Sequence, residues 1–312
     1  MKLSQAIDLF IVAGQAANLA HPTIIQYQQY LGRLLDFLGD NELSNLTSAD
    51  LQRFMAHLST RQVKWESHRG GRPAVKGMLS PSTLNGYALN IKRLFNWLEE
   101  NGYIPPEQNI GSRLKKPKLP RLPPKAITDE DFQKLVNCAR REIHRDCLAK
   151  RDYLLVLFLG ETGCRVGGLV RICLSDIDFG RGRILVTEKG NKSRYLYFTS
   201  PTDAAMRDWL NVRPSKTEFL FVGKKGDQWS IFGVSQALRR LGKRAGTKGH
   251  INPHSFRHGF AKRYLENGGD LASLSEMMGH TDVSVTKNFY SMFTNEELKR
   301  KHERFSPLRG FV

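Results

Sequence analysis

The apolar positions of the chain change period near its first third. Over the first hundred residues they recur every three or four places, as they do on one face of a helix. Leu3–Ala16, with Ile7, Phe10 and Ile11 on one side, reads as a short amphipathic helix. A second is predicted over 23–38 from Ile25, Tyr27, Tyr30, Leu34 and Leu38. Thr47-Ser48-Ala49-Asp50 has the form of a capping box and opens a third helix through Leu51, Phe54 and Leu58. The clearest helix starts at Ser80-Pro81, carries Leu84, Tyr87, Ile91, Leu94, Phe95 and Leu98, and stops at Gly102. Between the last two, 61–79 is polar and holds Lys64, Arg69, Arg72 and Lys76, so it reads as a loop. Four helices without a strand signal predict an all-α domain over 1–110.

From 111 to 125 the pattern lapses. Pro117, Pro120, Pro123 and Pro124 alternate with Arg113, Lys115, Lys116, Lys118, Arg121 and Lys125. Such a segment is extended and semi-rigid, and is expected to link the first domain to a second over 126–312. There the elements mix. Thr128 with Asp129, Glu130 and Asp131 caps a helix through Phe132, Leu135 and Val136, and an apolar helix over 153–159 ends near Gly163. Two β-type runs, 183–187 and 195–198, flank the turn Lys189-Gly190-Asn191-Lys192 and predict a hairpin. A third strand is expected at 218–222, and helices resume after Ser230. The fold class is therefore mainly α, with a small antiparallel β-sheet in the C-terminal domain.

Composition adds a partner to this picture. The chain has 312 residues, with 48 Lys plus Arg against 30 Asp plus Glu, a formal charge of +18. A surplus of that size favours a polyanionic partner, since each phosphate neutralised releases condensed counterions. Ribosomal and secreted basic proteins share the balance, so charge by itself does not name the partner. No run approaches the roughly 18 apolar residues of a membrane span. The start, Met1-Lys2-Leu3-Ser4-Gln5, lacks the pattern of a secretion signal, and a cytoplasmic location is expected. Cys138, Cys147, Cys164 and Cys173 form no C-x-x-C pair, so buried reduced thiols are expected, and no metal site.

Three local clusters have the chemistry to handle a phosphodiester. Thr162-Gly163-Cys164-Arg165 places an arginine just past an apolar helix. His254-Ser255-Phe256-Arg257-His258 follows Asn252-Pro253, so His254 and Arg257 lie three apart near a helix start. Met278-Gly279-His280 is followed, ten residues after the histidine, by Phe289-Tyr290. Taken one at a time, each is commonplace: a surface arginine, a chance H-x-x-R pair, a core tyrosine. Their joint occurrence in this order is not.

With T-G-x-R at Arg165, the Lys189 hairpin, H-x-x-R at His254 and Arg257, G-H at His280 and a terminal Tyr290, the second half resembles the catalytic domain of the tyrosine recombinase (phage integrase, Xer-like) family. The helical first half resembles that family's core-binding domain. The resemblance implies a two-domain clamp on double-stranded DNA that breaks and rejoins strands at specific sites. Arg165 and Arg257 would hold the non-bridging oxygens in bidentate bonds that lysine could not replicate, and His280 would add a hydrogen bond. Tyr290 would be the nucleophile, His254 its base, and Lys189 the proton donor to the 5′-oxygen, with Lys192 as the competitor for that last role. The covalent link conserves the bond energy, so no cofactor is expected. The resemblance further implies a tetramer of protomers across two DNA sites, exchanging C-terminal segments. Lys92 and Arg93, the linker lysines Lys115, Lys116 and Lys118, and Lys192 with Arg194 on the hairpin are expected to touch DNA, chiefly at phosphates. A type IB topoisomerase and a non-catalytic DNA-binding protein on a degenerate recombinase scaffold are the alternatives. The chain departs from the family at Gly168, where an acidic residue commonly stands three after the first arginine.

Overall fold

The computed structural model describes residues 1–64, 74–119, 125–188, 192–214, 217–279 and 293–304, leaving aside the side chains of Lys64, Glu188, Lys192, Glu303 and Arg304. Lys189, His280 and Tyr290 therefore lie outside the described residues, as do Arg69 and Arg72 of the polar loop and 120–124 of the linker. The chain separates into two compact units, Met1–Arg121 and Leu122–Val312.

The first unit is built from α1 (Leu3–Ala16), α2 (His21–Leu38), α3 (Ser48–Thr60) and α4 (Pro81–Glu100). Local chemistry sets several of the ends. Thr47 and Asp50 form the capping box at α3, and hydrogen bonds from Thr47, then Arg53, hold the Asp50 carboxyl down to about 2. Ser80 accepts from the Thr83 amide to start α4, with Pro81 in the first helical position, where its missing N–H costs nothing. α4 supplies much of the core through Tyr87, Ala88, Ile91, Leu94, Phe95 and Leu98. α2 turns Ile24 inward and leaves Ile25 exposed, the reverse of the sequence expectation, because Tyr27, Leu31 and Leu34 fix a face one position earlier. The expected strand-free unit carries one small exception. Val63–Lys64 (β1) pairs antiparallel with Val75–Lys76 (β2) at the mouth of the polar loop. Packing continues past α4 through Ile110 and Leu114, which join the same core.

The second unit opens with α5 (Asp129–Arg141), capped by Thr128, and α6 (Cys147–Thr162), capped by Asp146. Leu154, Leu155, Val156, Phe158 and Leu159 bury most of the circumference of α6, so it reads in sequence as an apolar run rather than a stripe. After a four-residue helix α7 (Val166–Leu169) come β3 (Ile177–Asp178), β4 (Arg183–Glu188) and β5 (Lys192–Tyr197), an antiparallel sheet in that order. Ile184 opposes Leu196 on the buried face, whereas Leu185, Tyr195 and Tyr197 stay exposed. The third strand is thus 177–178 rather than 218–222. Phe219 and Val222 make only single bridges, to Cys173 and Gln228, because Leu220, Phe221 and Val222 bury themselves in the helical core. α8 (Ser200–Leu210), which the periodicity did not announce, follows, then α9 (Ile231–Ala245), α10 (Pro253–Glu266) and α11 (Leu271–Met278).

Phe293 packs with Leu265 of α10 and with Leu274 and Met278 of α11. α12 (Asn295–Arg304) then lies on α10 of its own chain. Lys262 bonds Glu297 at 2.8 Å, and Lys301 reaches the Leu265 carbonyl. Of the four cysteines only Cys138 and Cys164 are buried. Cys147 is exposed and Cys173 half-buried, against the expectation of buried thiols. Among the described residues no helix is long and apolar enough to cross a membrane, and no cluster of His, Cys, Asp or Glu could hold a metal ion.

Candidate active site

Arg165 owes its position to the glycine two places before it. α6 ends at Gly163, whose φ of 57° is left-handed, a conformation in which a side chain is strained. A Cβ there would also stand 2.5 Å from the Phe260 ring of α10. The turn buries Cys164 completely and delivers Arg165, half-buried, as the cap of α7.

Arg257 comes from the second motif. Asn252 caps α10 by accepting from the Ser255 amide, and Pro253 sits in the first turn. Two contacts, one from α5 and one from the segment just before it, fix this start. The buried Asp131 carboxylate accepts from the Lys248 and Gly249 amides at 3.0 and 2.8 Å, and the Ile127 amide donates to the Ser255 carbonyl at 2.9 Å. On α10, Arg257 is buried and His254 is exposed. His258, one turn beyond His254, has its pKa lowered by burial, then by His254 and Arg257, which keeps its ring neutral near pH 7.

The two motifs meet around the end of α11. Arg257 Nη1 donates to the Gly163 carbonyl at 2.8 Å and Nη2 to the Met278 carbonyl at 2.5 Å. Arg165 Nη2 donates to the Gly279 carbonyl at 3.3 Å. A third guanidinium joins them from β5, where Arg194 Nη1 donates to the Met277 carbonyl. The last turn of a helix leaves carbonyls without intrahelical partners. Here Gly279, left-handed at φ 62°, closes back on Glu276, and the next three carbonyls each receive a different arginine. The negative end of the helix dipole supports that arrangement.

Crowding three cations in a buried place is costly. Burial, then Arg165 and Arg194, push Arg257 down to about 9, and burial followed by Arg194 lowers Arg165. Burial lowers Arg194 as well. Arginine does not give up its proton in proteins, so these directions measure an unsatisfied demand for negative charge rather than neutral side chains. Cys164 does not meet it. Although the three arginines favour its thiolate, burial outweighs them and raises the thiol to about 11.

The structure thus brings Arg165, Arg257 and Arg194 together, with His254 one turn from Arg257 at the exposed start of α10. Arg194, expected from the sequence to touch DNA on the hairpin, turns its guanidinium inward to the Met277 carbonyl of α11. Asp131 carries no motif. Its one signal in the sequence was its place in an acidic first turn. Gly168 is buried in α7, its amide donating to the Arg165 carbonyl at 2.9 Å, beside a cleft lined by Arg171, Asp176 and the β4 residues Leu185 to Thr187. Of the other candidates, Lys92 donates to the Ser112 carbonyl at 2.7 Å, whereas Arg93, Lys115, Lys116 and Lys118 are exposed. The Lys192 backbone opens β5, and Lys189, His280 and Tyr290 fall outside the described residues.

Residues 125–297 match the model of the phage integrase family. The chain is 31% identical to tyrosine recombinase XerA of Thermococcus kodakarensis, over 90% of this chain and 88% of that one. It is 32% identical to tyrosine recombinase XerC of Corynebacterium glutamicum, over 73% of each. Among solved structures it resembles the Tn1549 transposon integrase in complex with transposon right end DNA, at a TM-score of 0.73 and 19% identity over 98% of this chain and 100% of that one. It also resembles the XerH site-specific recombinase bound to its difH substrate, at 0.69 and 19% over 96% and 83%.

Proposed function

The chain belongs to the phage integrase (tyrosine recombinase) family, and on that premise we propose that its arginine cluster binds the scissile phosphate during site-specific DNA cleavage and rejoining. One observation carries the reading: Arg165 and Arg257, from motifs far apart in sequence, converge with depressed pKa values on the carbonyls that immediately precede His280. A phosphodiester under attack gains negative charge on its non-bridging oxygens, and preorganised guanidiniums meet that charge where it develops.

In this reading the Tyr290 oxygen attacks phosphorus while His254 takes the phenolic proton. The bond to the 5′-oxygen breaks, and that oxygen takes a proton from Lys189. His280 donates to a non-bridging oxygen. The product is a 3′-phosphotyrosyl linkage and a free 5′-hydroxyl. Attack by a 5′-hydroxyl reverses the step, restores the tyrosine and joins the strands, so the bond count is unchanged and no external energy source enters. Arg93, Lys115, Lys116 and Lys118, exposed and cationic, suit phosphate contact along the duplex. Four protomers would assemble across two sites and exchange their C-terminal segments, and a DNA-bound enzyme of this kind would reside in the cytoplasm on the nucleoid. Relatives named as recombinases support strand exchange over topoisomerase-like relaxation. The glycine at 168 is the one feature that invites a non-catalytic DNA-binding role.

A suicide substrate, nicked so that the leaving strand diffuses away, separates the readings. A covalent protein–DNA adduct is expected from the wild type and none from Tyr290→Phe, with duplex binding retained. An adduct formed by Tyr290→Phe would refute the mechanism. Relaxation of one supercoiled circle without exchange between two sites would favour the topoisomerase reading.

A further inference from the structure

The chain uses one local signature twice, with different results. Thr47-Ser48-Ala49-Asp50 and Thr128-Asp129-Glu130-Asp131 both place a threonine cap three residues before an aspartate. At α3 the aspartate returns to its own cap, the Thr47 amide donating to Asp50 at 2.8 Å, and the box closes locally. At α5 the Thr128 hydroxyl still accepts from the Asp131 amide, at 3.1 Å. The Asp131 carboxylate, however, is only 3% exposed and turns to a distant segment. One oxygen accepts from the Lys248 amide and the other from the Gly249 amide, 117 and 118 residues away. Both amides lie in the irregular stretch between Gly246, which ends α9, and Asn252, which caps α10. An irregular stretch lacks a helical or sheet ladder, and its amides need partners from elsewhere. The approach is close, since a Cβ at Gly249 would stand 2.8 Å from the Asp131 carboxylate. Beyond His254 the next anchor is the Ser255 carbonyl, which accepts from the Ile127 amide at 2.9 Å. In the chain, His254 therefore stands between two anchors, and both are tied to 127–131. Arg257 is held otherwise, by the Gly163 and Met278 carbonyls. The His254 side chain is exposed, so the course of its backbone carries most of its placement.

We infer that Asp131 is a positioning residue for His254: it fixes the stretch entering α10, so that the histidine on the first turn keeps one place relative to Arg257. A carboxylate suits the task, because its two acceptor oxygens take two successive amides in charge-assisted bonds. An amide side chain of the same size has one acceptor, and its NH2 would face an N–H. The local box is given up at α5 for this longer-range contact, whereas α3 keeps it. This inference rests on the proposed reaction, since it needs His254 to be the base of that reaction.

A double-mutant cycle on covalent-adduct formation, under single-turnover conditions with saturating suicide substrate, tests it. Asp131→Asn in the full-length protein is expected to slow adduct formation by about tenfold to a hundredfold, the scale of a displaced reacting group. Affinity for the duplex, and for inorganic phosphate as a probe of the arginines, should be unchanged. In a His254→Ala background the same Asp131→Asn change is expected to cost less than about threefold, because the group it positions is already gone. An equal loss in both backgrounds would overturn the inference, since Asp131 would then act on the fold at large. Weakened phosphate binding would overturn it as well, by placing the effect on the arginines. Full activity of Asp131→Asn would do the same. Full activity of His254→Ala would instead remove the role of His254 in the proposed reaction, and the inference with it. Should Asp131→Asn fail to fold, as judged by its thermal melt, Gly249→Ala carries the same cycle, because its added Cβ displaces the carboxylate from the same amide.

Discussion

Within the second unit, arginines are held in two opposite ways. One set faces carboxylates. Arg244 grips Glu142 through Nε and Nη2 at 2.9 to 3.1 Å, Arg263 meets Asp129 at 3.2 Å, and Arg151 meets Asp152 at 2.7 Å beneath Trp229. At the site, Arg165, Arg194 and Arg257 face carbonyls, and burial, one another and Cys164 set their ionisation. The directions differ accordingly. Arg244 is raised, burial being overcome by the Glu142 hydrogen bond, whereas all three site arginines are lowered. A guanidinium beside a carboxylate is neutralised and holds structure together. One beside a carbonyl dipole is satisfied in hydrogen bonding yet keeps its whole charge for an incoming anion.

The sharpest test exchanges the same residue type in the two settings. Arg165→Ala is expected to cut single-turnover cleavage by about a hundredfold to a thousandfold, the usual cost of one transition-state donor. Arg244→Ala should leave cleavage unchanged and lower stability by about 1 kcal/mol or less, since the pair is partly solvated. Comparable cleavage losses for both variants would erase the distinction. Next in size is Gly163→Ala. The left-handed φ and the Phe260 ring together predict a destabilisation of about 2 kcal/mol or more, measured by denaturant melts, with a displaced carbonyl for Arg257 and slower cleavage.

Anions should also separate the two sets. Titration with inorganic phosphate or sulfate is expected to raise the melting temperature. The gain should be about 1.4 kcal/mol at tenfold excess over the dissociation constant, and Arg257→Ala should abolish it while Arg244→Ala does not. Acid acts the other way, on carboxylate-held contacts. Burial tends to raise Glu297, but bonds from Lys262 and Thr294 prevail and bring it to about 2. A depressed carboxyl contributes stability above its unfolded value of about 4.3, and that contribution is lost as the pH falls toward 2. Glu266 beside it is raised by burial and opposes part of the effect. Hydrogen exchange should therefore show α12 loosening between pH 4.5 and about 2, before the carbonyl-anchored α11 end. Simultaneous loss of both would contradict the comparison. The smallest effect is expected at Gly167, where a Cβ meets nothing within 4 Å. Gly167→Ala should stabilise by about 0.5 kcal/mol and leave cleavage intact.

What could be read from the sequence follows the range of the interactions involved. Caps, glycine stops and the T-G-x-R and H-x-x-R spacings act over three or four residues, so α3, α4, α5 and the start of α10 were legible. The 218–222 run was misread as a strand because burial in a helical core and burial in a sheet look alike over five apolar residues. Arg194 was legible as a cation and illegible as a partner of Met277, since the contact joins positions 83 apart and leaves no local spacing. The same holds for Asp131 and Gly249, joined across 118 positions.

By itself, then, the sequence determined the helical first unit, the hairpin, the basic surface and the ordered set of groups fit for a phosphodiester, because periodicity, charge and residue chemistry are local properties. Only the tertiary structure decided that Arg165, Arg194 and Arg257 meet on three consecutive carbonyls at the end of one short helix. The physical reason is that a helix end has carbonyls to satisfy, and which distant donors satisfy them is settled by packing that no stretch of sequence contains.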